Sequence, residues 1–117
     1  MADEWLVSTV QTTTTHVHGR TLNSARDHHF ILDGPTRPGE EVNSMEAFLA
    51  GISSCATHLF QDFADEEDIP LERADVAIRS VRRKEEPNRF DHIDIEVRLA
   101  GPSRAQAEHL VERFTGR

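Results

Sequence analysis

Cys55 is the only cysteine in the chain and closes the run Ile52-Ser53-Ser54-Cys55-Ala56. A cysteine attacks as its thiolate, and a free thiol with a pKa of about 8.5 needs a neighbouring cation or dipole to reach that form near neutral pH. Spacing alone leaves two readings open. Free cysteine is among the most buried residue types, so Cys55 could be a small core thiol; it could equally be a reactive thiolate served by a cation from elsewhere in the chain. A third use, hydrolysis by Cys55 with a histidine such as His58, offers no placeable acid or oxyanion donor.

Seven histidines raise the question of a metal. His16 and His18 share a strand face at a two-residue step, whereas His28 and His29 are adjacent and point apart. With no helical His-x-x-x-His pair and no second thiol, they do not assemble a zinc ligand set, and neither metal nor cofactor is expected. The acidic run from Asp62 to Asp68 lacks the glycine and spacing of a calcium loop, so it reads as a solvated helix end. Phosphate-cradling glycine loops, nucleophile-elbow serines and aromatic-basic stripes are absent from the sequence.

Cys55 must be carried by a helix. Asn43 or Ser44 can cap it, and Met45, Phe48, Leu49, Ile52, Cys55, Ala56, Leu59, Phe60 and Phe63 then recur at steps of three and four. The helix should stop before Pro70, and its acidic far end opposes the helix dipole. Upstream, the Val- and Thr-rich stretch from Trp5 to His18 reads as one long strand, Gly19 as a turn, and Thr21 to Asp33 as a second extended stretch. Two prolines and two glycines make the segment from Gly34 to Glu41 a loop. Downstream, a strand from about Ala74 to Arg82 and a charged turn lead to Ile93, Ile95, Val97 and Leu99, which alternate with Asp94, Glu96 and Arg98; one face should pack and the other meet water. Ser103 then caps a short amphipathic helix. The order strand, strand, helix, strand, strand, helix with tight links predicts an α+β domain with antiparallel pairing.

The chain has 117 residues, enough for one domain, 1–117, and too few for two well-packed ones. A symmetric partner covering an apolar face would add stability at this size. With 13 basic and 21 acidic residues the net charge is −8, which repels nucleic acid and anionic membrane surfaces. Charges interrupt every apolar run well short of the ~20 residues of a membrane span. The start, Met1 to Trp5, is acidic where a secretory signal is basic, and a lone cysteine fits a reducing compartment, so the cytoplasm is the expected location.

Asp33-Gly34-Pro35, followed by Asn43-Ser44-Met45-Glu46-Ala47-Phe48-Leu49-Ala50-Gly51-Ile52-Ser53-Ser54-Cys55-Ala56-Thr57, resembles the signature of the OsmC-like and organic hydroperoxide resistance family. Gly34 and Ser44 stand where that pattern carries an acidic residue and a proline, while the spacing of Glu46, Gly51 and Cys55 agrees with it. The resemblance implies an OsmC-like fold, with antiparallel sheets packed on a central helix in an intertwined homodimer. It also implies a thiol-dependent peroxidase that reduces organic hydroperoxides in oxidative stress defence. In that scheme Cys55 attacks the peroxide, Arg20, with Arg26 as rival, favours the thiolate, and Glu46 orients the arginine. Phe48 and Ile52 line a pocket for the alkyl group. The family's second cysteine falls at or beyond the last helix. The resemblance therefore implies either further residues after Arg117 or an external thiol or dithiol reductant. The alternative is a non-catalytic ligand-binding or stress protein of the same fold, with Cys55 as a buried structural residue.

Overall fold

The computed structural model describes residues 4–116, so Met1 to Asp3 of the acidic start and the terminal Arg117 lie outside the described residues. The chain is α+β, with two helices and antiparallel sheets, and divides into two compact units that meet in sequence between Ala47 and Phe48.

The first unit is a three-stranded antiparallel meander of β1 (Gln11–Thr14), β2 (Thr21–Ala25) and β3 (His28–Leu32). The long strand expected from Trp5 to His18 shrinks to four residues. A strand needs a partner as well as β-branched side chains, and β2 pairs only from Gln11↔Ser24 to Thr14↔Thr21. Trp5, Leu6, Val7 and Val10 are left outside the ladder and exposed. The single stretch expected from Thr21 to Asp33 is instead two strands, folded back at Arg26-Asp27 with Ala25 opposite His28. Arg26 takes a left-handed φ of 56°, a two-residue hairpin turn without the glycine or asparagine that would announce it. Gly19 is a turn residue as expected: its φ is 90°, and a Cβ there would collide with the Arg37 carbonyl. Inside the sheet, the buried Asn23 side chain accepts from Thr12 Oγ1 at 2.7 Å and donates to Thr21 Oγ1 and to the Phe30 carbonyl.

The helix α1 (Ser44–Glu66) begins in this unit. Asn43 is its cap. Asn43 Oδ1 accepts from the Glu46 N–H at 2.8 Å, and Glu46 Oε1 accepts from the Asn43 N–H at 2.9 Å. This reciprocal capping box satisfies two N–H groups that the helix cannot satisfy by itself.

The second unit contains the rest of α1, the hairpin of β4 (Arg73–Val81) and β5 (His92–Ala100), and α2 (Arg104–Thr115). Its core is Ala56, Phe60, Phe63 and Ala64 of α1 with Leu110 of α2, and Val76, Val97, Leu99 and Phe114 pack against it. Phe60 and Phe114 meet at 5.3 Å between ring centroids. Full burial of a side chain such as Phe60 contributes roughly 1.5–3 kcal/mol.

The end of α1 is built by Asp68 at φ 52°: the Ile69 N–H reaches the Ala64 carbonyl at 2.9 Å and the Asp68 N–H reaches Asp65 at 3.4 Å. That is a Schellman closure with aspartate in the position usually held by glycine. Ser103 caps α2 in a second capping box with Gln106, as its sequence position suggested.

Two expectations need correction here. The apolar face of β5 packs only at Val97 and Leu99, while Ile93 and Ile95 stay 37% and 43% exposed, because the core lies under one end of the hairpin. The acidic end of α1 is also not simply solvated. Glu66 accepts from Arg113 Nη2 at 2.7 Å, and Glu67 is bonded by Arg113 Nη1 at 2.9 Å and His109 Nε2 at 2.7 Å. The Arg113 guanidinium of α2 thus offsets carboxylates that oppose the α1 dipole. No helix among the described residues is long and apolar enough to cross a membrane.

Candidate active site

Cys55 lies on α1 and is exposed, so the alternative in which it fills the core does not match its position. The helical period places Cys55 and Phe48 together at one edge of the apolar stripe, with Ile52 between them and the buried Ala56, Phe60 and Phe63. Phe48 is 54% exposed and Ile52 half-buried. The Phe48 ring stacks on Phe90, which precedes β5, at 6.4 Å between centroids and 11° between planes. Phe90, 42 residues away in sequence, carries no signal that would have joined it to Phe48. Apart from its chain neighbours and the surrounding helix backbone, Gly51, one turn before Cys55, has no atom within 4 Å of the place a Cβ would take, so this stretch of helix is open. His58 is exposed. A cavity of about 400 Å³ between β5 and α2 is lined by Val97, Leu99, Ala107 and Val111, without Cys55.

In the first unit Arg20 follows the Gly19 turn, and its guanidinium grips Asp33: Nε donates to Oδ1 at 2.8 Å and Nη2 to Oδ2 at 3.0 Å. Nη2 also donates to Glu40 Oε1 at 3.0 Å. Backbone N–H groups of Glu40 and Glu41 add bonds to Asp33 Oδ2 at 3.0 and 2.7 Å. The Asp33 carboxyl is therefore held well below the usual carboxylate range, with Arg20 as the main cause and the two backbone donors adding to it against the cost of burial. The same pairing, with a smaller part from Glu40, raises Arg20 above its ordinary value. Arg26 sits exposed in the β2–β3 turn.

Arg20 is thus joined to Asp33 and Glu40, whereas Glu46 is engaged with Asn43 at the start of α1. Asp33 and Glu40 are the carboxylates that sequence reasoning missed. Asp33 stands in a turn motif of the sequence, but its pairing with a residue 13 positions earlier depends on the fold of the meander. His29 Nδ1 lies 2.7 Å from Ser24 Oγ, and among the described residues no group of three or more His, Cys, Asp or Glu side chains could hold a metal ion.

The family model described as OsmC-like protein matches residues 37–117. No curated protein matches the sequence. Among solved structures, an OsmC-like protein from Mycoplasma pneumoniae superposes with a TM-score of 0.84 at 11% identity, covering 96% of this chain and 82% of that one. An organic hydroperoxide resistance protein OsmC from Legionella pneumophila gives 0.70 at 17% identity over 93% and 82% of the two chains. The organic hydroperoxide resistance protein OhrB of Bacillus subtilis gives 0.66 at 17% identity over 93% and 83%. These identities speak for a shared fold. With the family model spanning more than half of its length, and the exposed Cys55 inside the matched region, the chain belongs to the OsmC-like protein family.

Proposed function

We propose that this protein is a cysteine-based peroxidase that reduces organic hydroperoxides, a single OsmC-like domain acting in the cytoplasm as part of oxidative stress defence. The observation that carries the reading is the exposure of Cys55 on an open helix face beside Phe48 and Ile52. A peroxide must reach the sulfur end-on, and an alkyl group needs apolar surface next to it. Family membership and the names of the Legionella and Bacillus relatives support the same direction.

The Cys55 thiolate attacks the distal peroxide oxygen, the O–O bond breaks, and the proximal oxygen leaves as alkoxide and takes a proton to become the alcohol. The sulfur, oxidised by two electrons, keeps the distal oxygen as a sulfenic acid. An external thiol condenses with it, releasing water and leaving a mixed disulfide, and a second thiol equivalent returns Cys55 to the reduced form. Arg20 favours the thiolate and the departing oxygen by donating to developing negative charge. Phe48 and Ile52 receive the alkyl group, and Glu46 caps the helix that carries Cys55. Exposed apolar side chains at Phe48, Ile93 and Ile95 support a homodimer, in which a second copy covers what one chain leaves open.

Reduced protein mixed with excess tert-butyl hydroperoxide in the presence of a sulfenic-acid trap should gain one trap adduct at Cys55 within seconds, and Cys55→Ser should gain none. A wild-type thiol that stays unmodified would sink the peroxidase reading.

A further inference from the structure

Residues 82–91 join β4 to β5, well beyond the roughly two to five residues of an ordinary hairpin connection. The excess is folded. The Glu86 N–H donates to the Arg83 carbonyl at 3.0 Å and the Arg89 N–H to the Glu86 carbonyl at 3.2 Å, which makes two successive turns that share Glu86. Arg82 Nη1 donates to the Pro87 carbonyl at 2.9 Å, and the Asp91 N–H returns the chain to the Val81 carbonyl at 2.8 Å. A long connection that holds itself together in this way can keep side chains in place for a ligand.

The turns frame a cavity of about 270 Å³ lined by Arg83, Glu86, Arg89, Phe90 and Asp91. Its charges are not paired off. In a chain with 21 acidic and 13 basic residues an arginine finds a carboxylate easily, and Arg20, Arg73, Arg79, Arg98, Arg104 and Arg113 all do. Arg83 and Arg89 form no ion pair or side-chain hydrogen bond among the described residues, although Glu86 and Asp91 line the same space. Asp91 is engaged by His92, whose Nδ1 lies 2.7 Å from Asp91 Oδ2, while the Glu86 carboxylate has no partner among the described residues. The unpaired groups are therefore two guanidiniums and one carboxylate around one opening, beside the Phe90 ring, which is 38% exposed.

A guanidinium offers parallel N–H donors that match a planar carboxylate, and a carboxylate without a partner suits an ammonium. We propose that the β4–β5 loop binds a small zwitterion with two carboxylates and one ammonium, the chemistry of an acidic amino acid: Arg83 and Arg89 hold the carboxylates and Glu86 holds the ammonium. The unpaired groups of the loop sum to one positive charge, and such a ligand carries one negative charge. An inorganic anion or a plain dicarboxylate would leave Glu86 facing charge of its own sign. The loop lies wholly within the second unit and its binding needs nothing of Cys55, so the inference stands apart from the peroxidase reading.

The test is an NMR titration of the isotope-labelled protein, at constant ionic strength, with L-glutamate, with L-glutamine, which lacks the second carboxylate, and with glutarate, which lacks the ammonium. Glutamate should shift the amide signals of residues 82–91 in a saturable way, with a dissociation constant of about 1 mM, as suits an exposed ionic site. Glutamine and glutarate should bind about fivefold or more weakly. Arg83→Ala and Arg89→Ala, with thermal melts showing the fold intact, should each weaken glutamate by about fivefold or more. Glu86→Gln should weaken glutamate and bring glutarate level with it or ahead of it. Glutarate or inorganic phosphate binding the wild type as tightly as glutamate would reduce the loop to a general anion site and overturn the proposal. Glutamate affinity that survives either arginine change overturns it as well, as does the absence of saturation up to about 20 mM or a set of shifts that leaves residues 82–91 untouched.

Discussion

The guanidinium of Arg113 lies 4.0 Å above the ring of Phe63 while its Nη1 and Nη2 reach Glu67 and Glu66. One side chain of α2 therefore covers a core aromatic of α1 and neutralises the acidic end of the same helix. Arg113→Ala should lower the melting temperature by several degrees, and Arg113→Met, which keeps the apolar stem, should recover part of the loss. Thermal melts of the three proteins check this.

Glu67 is held below its ordinary pKa chiefly by its bond to Arg113, with His109 adding to the effect against the cost of partial burial. A carboxyl lowered in the folded state contributes stability above its unfolded pKa and loses that contribution as pH falls through the folded one. The stability gap between wild type and Glu67→Gln should be constant above about pH 5 and close below about pH 4. Urea titrations across that range measure it.

Asp33 predicts the same sign with a longer reach, because its carboxyl lies further below the usual range. Asp33→Asn should be less stable than wild type at neutral pH, and the difference should persist to lower pH than the Glu67→Gln difference before it fades. A gap that grew on acidification would contradict the assignment.

Gly101 has φ 111°, and a Cβ there would collide with the Pro70 carbonyl and lie 2.9 Å from the Glu72 nitrogen. Backbone on both sides cannot give way as a flexible side chain would. Gly101→Ala should destabilise by about 2–4 kcal/mol, read from denaturant unfolding.

Leu110 is fully buried among Phe60, Phe63 and Phe114 of the core cluster. Leu110→Ala should cost about 2–5 kcal/mol, the upper part of that range applying if the aromatic rings do not close the cavity. Asp68→Gly should act in the opposite direction, gaining about 0.5–1 kcal/mol by relieving the left-handed backbone at the end of α1.

Local pattern was enough for the elements that satisfy themselves. The steps of three and four from Met45 to Phe63 specify α1, Asn43 and Ser103 cap their helices through bonds to residues three positions away, and the alternation from Ile93 to Leu99 specifies β5. Cys55 and the family signature around it were likewise legible, because a motif is a local fact. The ladder of β1 and the turn at Arg26 were not. Strand length is set by what the partner offers, and Arg26 carries no residue-type signal for positive φ. Whether Cys55 is buried, whether Asp33 finds Arg20, and which α2 side chains meet Glu66 and Glu67 were decided by tertiary structure alone. Each of these depends on side chains far apart in sequence being brought within hydrogen-bond distance or turned away from the core. Periodicity put Cys55 in the same wide apolar stripe as Phe60 and Phe63, but only their packing with Leu110 determined that those positions would be buried and the thiol, at the edge of the stripe, left open.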